Sequence, residues 1–390
     1  MKKLLLVGCG AEIGSLLVGM IEPDKDGFEI GAILTNPIAP DKNHPQLRGV
    51  DSLVARVLLA QPHLIGQVSA TADPDCLVVQ GRDIPVFWGD IRAFDVTQLP
   101  GPFDLCVVAT SKSHIRDQDL MARFVDVAEF VLGVAESTNL PALYPNLIGA
   151  PERFLPYTSE PLGGQRVFCL GSCQTNGWQA QLRAILELAE EKAFTNLTIK
   201  GMEVDIVHPD TPTGRLGTKS LSARDQDPRN NLRPSFSQVE ISMNRLFPKS
   251  HNVNTVSLRT LIMPPGFQIC RFFFGYDMAN GERLDAQAIA ESFKRTAVKL
   301  PKVLHVADLP LGSRGFEYCQ SAAIILTQSA LFRFNDDPFS LGKADGSGVS
   351  ELISQAYVSN TRGYCVSVIE GIRYLLTEAN SKIFPAVTVN

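Results

Sequence analysis

Residues 2–21 read KKLLLVGCGAEIGSLLVGMI. Residues 3–7 are a short apolar run ending at a glycine cluster, and residues 11–22 carry Ile13, Leu16, Leu17, Met20 and Ile21 at helical spacing. The stretch therefore predicts strand, turn, helix. A second strand, Glu29 to Thr35, stops at Asn36-Pro37, where proline removes a backbone donor. The opening unit is βαβ.

Outward from it, strand-like runs fall at 76–79, 84–88, 104–109, 129–134 and 166–170, with a helix at 117–127. Strands alternating with helices predict a mostly parallel, doubly wound sheet covered on both faces, an α/β arrangement. Beyond residue 172 the texture changes to α+β: a long helix over 177–192, β-rich segments at 197–207, 253–263 and 268–275, and a helix near 286–298. The stretch 363–378 reads as a terminal helix, and 335–349, rich in Gly, Asp and Ser, as a surface loop.

A chain of 390 residues holds two or three domains. Its 36 Lys and Arg against 41 Asp and Glu give a net charge of −5, so no overall positive field draws it to nucleic acid or anionic lipid. Small-molecule chemistry is the expectation. Eight cysteines without a C-x-x-C pair fit a reducing compartment rather than a disulfide framework. No run of about 18 apolar residues is present. The expected location is cytoplasmic, with neither membrane nor nucleic acid as partner.

Gly8-Cys9-Gly10-Ala11-Glu12-Ile13-Gly14 follows the first strand and opens a helix, where backbone N–H groups and the helix dipole can hold a pyrophosphate. Its third glycine comes one residue later than in G-x-G-x-x-G, and glycines also recur in turns that bind nothing. Folds that prefer NAD usually carry a carboxylate at the end of the second strand; here stand Thr35 and Asn36. Asn36 does not repel a 2′-phosphate, so NAD and NADP both remain open. Asn36-Pro37 also reads as a plain strand-ending turn.

Cys173 lies in Gly171-Ser172-Cys173-Gln174-Thr175-Asn176, where a strand passes into a long helix. A thiol at a helix N-terminus has its thiolate stabilised. A cysteine is also commonly a buried small hydrophobe. His208 ends the strand-like Val204-Asp205-Ile206-Val207 and precedes Pro209, a position from which it can act as general base toward the thiol.

At this point the sequence resembles glyceraldehyde-3-phosphate dehydrogenase and its relatives. Ser-Cys-Gln-Thr-Asn (172–176) is similar to the family's S-C-T-T-N, and Val-His-Pro-Asp-Thr-Pro-Thr (207–213) to its V-H-A-Y-T-A-T. The stretch from Gly214 through Asn231-Leu232-Arg233-Pro234-Ser235 resembles its S-loop and N-I-I-P-S motif. Ser257-Leu258-Arg259 stands where the family has a substrate-binding arginine, and Ser359-Asn360-Thr361-Arg362-Gly363-Tyr364 resembles its D-N-E-x-G-Y segment. Ala109-Thr110 stands for the family's Ser-Thr, so the resemblance spans most of the chain.

The resemblance implies a Rossmann-type dinucleotide-binding domain over 1–171, a catalytic domain over 172–358 and a segment 359–390 whose helix returns to the first domain. It implies Cys173 as nucleophile and His208 as its base. Gly8, Gly10, Ala11, Glu12, Ile13, Asn36, Ala109 and Thr110 would bind NAD or NADP, with Asn360 on the carboxamide and Tyr364 packing nearby. Ser172, Gln174, Thr211, Ser237 and Arg259 would form the substrate site, Thr211 and Arg259 holding a phosphate or other anionic tail. A homo-oligomer, tetramer or dimer, is implied because the family's S-loop reaches a neighbouring subunit.

The departures point to a divergent member. Where the family binds inorganic phosphate through threonine, this chain has Gln174, Ser237 and Gln238. The expected activity is oxidation of a small anionic aldehyde through a cysteine thioester. Reduction of an acyl phosphate or thioester on the same fold, and a non-catalytic nucleotide-binding scaffold or redox sensor, are the alternatives. His44, His63, His114, His251 and His305 show no metal-ligand spacing, and no metal is expected. Cys169 reads as strand core or as a disulfide partner of Cys173, and Arg215, Arg224, Arg229 and Arg233 as a solvated loop cluster or an anion site.

Overall fold

The structure, a computed structural model, describes residues 1–38, 43–72, 74–150, 165–190, 197–210, 232–247, 252–275, 285–328, 332–335 and 350–377. The chain divides into two compact units. The first comprises the described residues within Met1–Leu143, Ser159–Leu170 and Val368–Asn390, the second those within Tyr144–Thr158 and Gly171–Ser367. Both are mixed α/β, each built on a mixed sheet.

The first unit contains β1 (Lys2–Val7), α1 (Glu12–Met20), α2 (Pro23–Asp26), β2 (Phe28–Thr35), α3 (Gly49–Ala60), β3 (Val68–Ala72), β4 (Asp75–Val79), β5 (Arg82–Trp88) and β6 (Phe103–Val108). It continues with α4 (Lys112–Ile115), α5 (Gln118–Ala122), β7 (Ala128–Gly133), β8 (Ala142–Leu143) and β9 (Val167–Leu170). These nine strands lie in the order β3-β4-β5-β2-β1-β6-β7-β9-β8. From β5 to β8 every pair is parallel. The expectation of a mostly parallel sheet needs a correction at one edge, where β3, β4 and β5 form an antiparallel meander.

Strand β1 lies between β2 and β6, so the chain leaves it in one direction and later returns on its other side. Its residues Leu4 to Val7 are buried, as is usual for a central parallel strand. Leu16, Leu17 and Val18 turn the inner face of α1 to the core, and α1 packs against α3. The side chain of Gln61, just past α3, donates from Nε2 to the carbonyls of Ser15 and Leu16 at 2.9 and 3.2 Å. Full burial of each large apolar side chain in such a core contributes about 1.5–3 kcal/mol. The helix expected over 117–127 is shorter: α5 spans five residues, and 123–126 tighten into a 3₁₀ turn.

The second unit opens with α6 (Cys173–Glu190), then β10 (Thr198–Pro209), β11 (Arg233–Pro234), α7 (Val239–Leu246), β12 (Asn252–Thr260), β13 (Gly266–Gly275) and α8 (Ala286–Lys299). It closes with β14 (Leu304–Ala307), β15 (Ala323–Leu326), β16 (Phe332–Asn335), β17 (Ser350–Val358) and the start of α9 (Arg362–Thr377). Its eight strands run β11-β12-β10-β13-β17-β15-β14, with β16 paired to β17. Helix α6 packs on this sheet and against α7 and α8. It is buried almost throughout, Trp178 completely.

Helix α6 starts at Cys173, four residues before the position expected from its apolar spacing. The cause is local capping. Ser172 Oγ accepts from the Thr175 N–H at 3.2 Å, and Asn176 Nδ2 donates to the carbonyls of Gly171 and Ser172, each at 3.0 Å. Those bonds hold the first turn in place of apolar packing. Strand β12 ends at Thr260 rather than 263, because the Ile262 N–H turns back to the Thr260 carbonyl.

Candidate functional site

Cys173 is the first residue of α6, and its half-buried thiol stands at the N-terminus of an 18-residue helix, whose dipole favours the thiolate. His208 stands at the end of β10, and its Nε2 lies 3.6 Å from Cys173 Sγ. Asn360, between β17 and α9, donates from Nδ2 to the same sulfur at 3.1 Å and has Nδ2 3.3 Å from His208 Nε2. Its Oδ1 accepts from the Gly266 N–H at 2.5 Å. That bond fixes which end of the amide faces the thiol.

The tautomer of His208 follows from its other nitrogen. Nδ1 lies 2.6 Å from the Pro209 carbonyl, which can only accept, so Nδ1 carries the proton and Nε2 presents its lone pair to the thiol. Arg259 is the register partner of His208 on parallel strand β12. Its Nη1 lies 3.3 Å from His208 Nδ1 and 3.3 Å from the Pro209 carbonyl. Burial, and then the Arg259 charge, push the imidazole down to about 4. His208 is therefore neutral near pH 7, with its Nε2 lone pair directed at the thiol.

Among the described residues no carboxylate pairs with Arg259. The neighbouring Arg233 is held differently: its Nε donates at 3.1 Å, and its Nη2 also donates, to Asp210 Oδ2. The Asp210 side chain is only 1% exposed. Arg259 thus offers its charge beside the imidazole, where an anionic group of a substrate would neutralise it.

Beneath Cys173 lies a buried amide network. Gln268 Nε2 donates to the Gln174 backbone carbonyl and to Gln174 Oε1, both at 2.7 Å. Gln181 Nε2 lies 3.3 Å from Gln268 Oε1, and Ser354 Oγ donates to Gln181 Oε1 at 2.5 Å. Gln174 Nε2 has no partner among the described residues. The glutamine side chain is pinned into the core rather than extended into solvent.

Of the remaining expected substrate residues, Ser172 caps α6, and Ser237 accepts from the Val239 N–H at 3.2 Å at the start of α7. Thr211 lies outside the described residues, as do Arg215, Arg224 and Arg229. Tyr364 donates from its hydroxyl to the Gly171 carbonyl at 3.0 Å, bracing the turn before Cys173. Cys169 is buried in β9, its sulfur 3.6 Å from the carbonyls of Ser137 and Leu140.

A separate cavity of about 490 Å³ lies in the first unit, at the carboxyl end of β1. Gly8, Gly10, Ala11, Asn36 and Thr110 line it. Glu12, Ile13 and Ala109 do not belong to that lining. Gly8 sits at φ +96°, and a Cβ there would lie 2.6 Å from Thr110 Cγ2. A Cβ on Gly14 would run into the Gly8 carbonyl oxygen. A Cβ on Gly10 would project between Arg56 Nη1 and Thr35 Oγ1, 3.5 Å from each, so the missing side chain leaves the cavity open at that point.

Among the lining residues that sequence reasoning did not assign to the cofactor are Arg56 and His114. Arg56 comes from α3, whose apolar positions Val50, Leu53 and Val57 carry a helical spacing that could have located the helix but does not single out the arginine. His114 lies with Nδ1 3.2 Å from Thr110 Oγ1 and is held below its ordinary value by burial and then by Arg92. Among the described residues no helix is long and apolar enough to cross a membrane. No known protein-family model and no curated protein matches this chain.

Proposed function

We propose that this chain is a nicotinamide-dinucleotide-dependent aldehyde oxidoreductase acting through a covalent adduct on Cys173, built as a Rossmann-type dinucleotide domain with a glyceraldehyde-3-phosphate-dehydrogenase-like catalytic domain. The observation that carries this reading is the convergence of Cys173, His208, Asn360 and Arg259, drawn from four separate elements, on one sulfur and one imidazole.

The chemistry follows from the residues. His208 Nε2 takes the thiol proton as Sγ bonds to the aldehyde carbon. The Asn360 amide and the N-terminus of α6 stabilise negative charge on the sulfur before attack. Arg259 orients a substrate through an anionic group at the end remote from the aldehyde. A nicotinamide dinucleotide, when bound, supplies the acceptor for the hydride that leaves the adduct carbon. A thioester on Cys173 then remains, and a second nucleophile cleaves it with return of a proton to the thiol. Gln174 and Gln268 place buried amides, joined by one hydrogen bond between their side chains, next to Cys173 in the chain and fold, which supports an acceptor other than inorganic phosphate.

The residues around the first-unit cavity fit the dinucleotide: a glycine turn at the end of a central parallel strand, opening α1, with Gly10 leaving room for close approach. Gly8, Gly10 and Ala11 would hold the pyrophosphate.

The test follows reduced-nicotinamide absorbance with NAD and NADP over a panel of small phosphorylated and carboxylated aldehydes. Wild-type turnover that disappears in Cys173→Ser, with nucleotide binding retained, is the expected result. Equal turnover in the two proteins would overturn the covalent mechanism.

A further inference from the structure

Arg56 is the one cationic side chain among the described residues lining the first-unit cavity that is always charged. Its Nη1 donates to the Gly10 carbonyl at 2.5 Å, which holds the guanidinium over the glycine turn rather than leaving it free in solvent. Among the described residues no carboxylate pairs with it, whereas Arg48, earlier in the same chain segment, is matched to Asp51 at 3.1 Å. The charge of Arg56 is therefore available to a ligand.

Among the described residues that line the cavity, none carries the opposite charge. Strand β2 ends at Thr35, followed by Asn36, and both line the cavity. In dinucleotide-binding sheets this strand end meets the adenosine ribose: a carboxylate there accepts from a free 2′-hydroxyl, while an arginine nearby accommodates a 2′-phosphate. Among the described residues no aspartate or glutamate lines the cavity. Asp90, next to the lining residues Gly89 and Ile91, has its Oδ1 occupied by the Arg92 N–H at 2.8 Å. Thr35 Oγ1 and Arg56 Nη1 both stand 3.5 Å from where a Gly10 side chain would begin, so donor, cation and open space meet at one point.

Resting on the reading of this cavity as a dinucleotide site, we infer that it selects NADP over NAD and that Arg56 sets the preference by pairing with the 2′-phosphate. A guanidinium suits a phosphate because its planar fork can donate two parallel hydrogen bonds. Asn36 adds a neutral amide where a carboxylate would repel the ligand.

Calorimetric titration of the full chain with 2′,5′-ADP and with 5′-AMP tests this without any turnover. The expected result is binding of 2′,5′-ADP about tenfold tighter or more, equivalent to about 1.4 kcal/mol. Arg56→Gln should remove that advantage, with an unchanged circular-dichroism spectrum and thermal midpoint reporting that the variant is folded. Asn36→Asp should turn the preference toward 5′-AMP. Equal or tighter binding of 5′-AMP by the wild type would overturn the NADP preference and leave the dinucleotide reading standing. Retention of the preference in Arg56→Gln would overturn the role of Arg56. Failure of the folded wild type to bind either nucleotide would overturn both the preference and the reading of the cavity.

Discussion

Arg259 and His208 are register partners on parallel strands, with Nη1 and Nδ1 3.3 Å apart and the Pro209 carbonyl between them. A cation at this distance opposes a second proton on the imidazole. It adds to burial, the larger cause, in holding His208 at about 4 against an ordinary 6.5. Asp210 and the Pro209 carbonyl act in the other direction and are outweighed. An anionic substrate on Arg259 would relieve part of this and strengthen His208 as a base when substrate is in place.

Arg259→Met should therefore raise the His208 midpoint. Imidazole NMR titration, with His208→Gln for assignment, should show the wild-type signal unchanged from pH 8 to about 5.5 and the variant titrating at higher pH. Sulfate should accelerate alkylation of Cys173 in the wild type and leave Arg259→Met unaffected. An identical response of both proteins would remove the coupling between the two residues.

The same shift has a stability consequence. With the folded value depressed, the unfolded chain binds the proton first as pH falls below 6.5, so stability present above that pH is lost down to about 4. The full effect is about 3 kcal/mol. Urea midpoints at pH 7.5 and 4.5 should differ less in His208→Gln than in the wild type.

Asn360→Asp keeps an oxygen for the Gly266 N–H and replaces the amide that faces the sulfur with a second oxygen. The thiolate loses a donor and gains a like charge. The pH profile of iodoacetamide alkylation should move up by roughly one unit or more. A superimposable profile would mean that the amide does not support the thiolate.

Arg233→Met removes an ion-pair partner of a carboxylate that is almost wholly buried. Loss of a buried ion-pair partner ordinarily costs 3–5 kcal/mol. Because Arg233 is itself partly exposed, about 2 kcal/mol is expected, read as a lower urea midpoint and partly recovered by the further change Asp210→Asn.

Gly14→Ala places a methyl group against the Gly8 carbonyl oxygen, a backbone atom that cannot yield without moving the turn. A cost of roughly 1–3 kcal/mol is expected, with weakened nucleotide binding. Unaltered thermal stability together with unaltered 5′-AMP affinity would contradict the tight packing of α1 on the turn.

The opening strand, turn and helix were legible because propensity, burial and glycine placement agree over residues 2–21. Strand β17 was not. Its inward positions are Ser350, Leu352, Ser354, Ala356 and Val358, and two buried serines blur the apolar alternation that marks a strand. Ser354 is buried because it bonds Gln181, a partner 173 positions away. The Cys173–His208 pairing could be read from two strand and helix ends. The position of Asn360 against the sulfur could not, since it depends on its bond to Gly266 across the fold. Arg56 was hidden for a similar reason: an exposed arginine on a helix carries no signal until its contact with Gly10 is seen.

Six of the eight cysteines, Cys9, Cys76, Cys106, Cys169, Cys270 and Cys365, are buried, and burial pushes Cys9 up to about 12. Cys173 and Cys319 alone are partly exposed. The native chain is thus close to a single-site labelling reagent: with Cys319→Ser, a thiol-reactive fluorophore would report on one position, and dye incorporated per chain would count competent sites in any preparation.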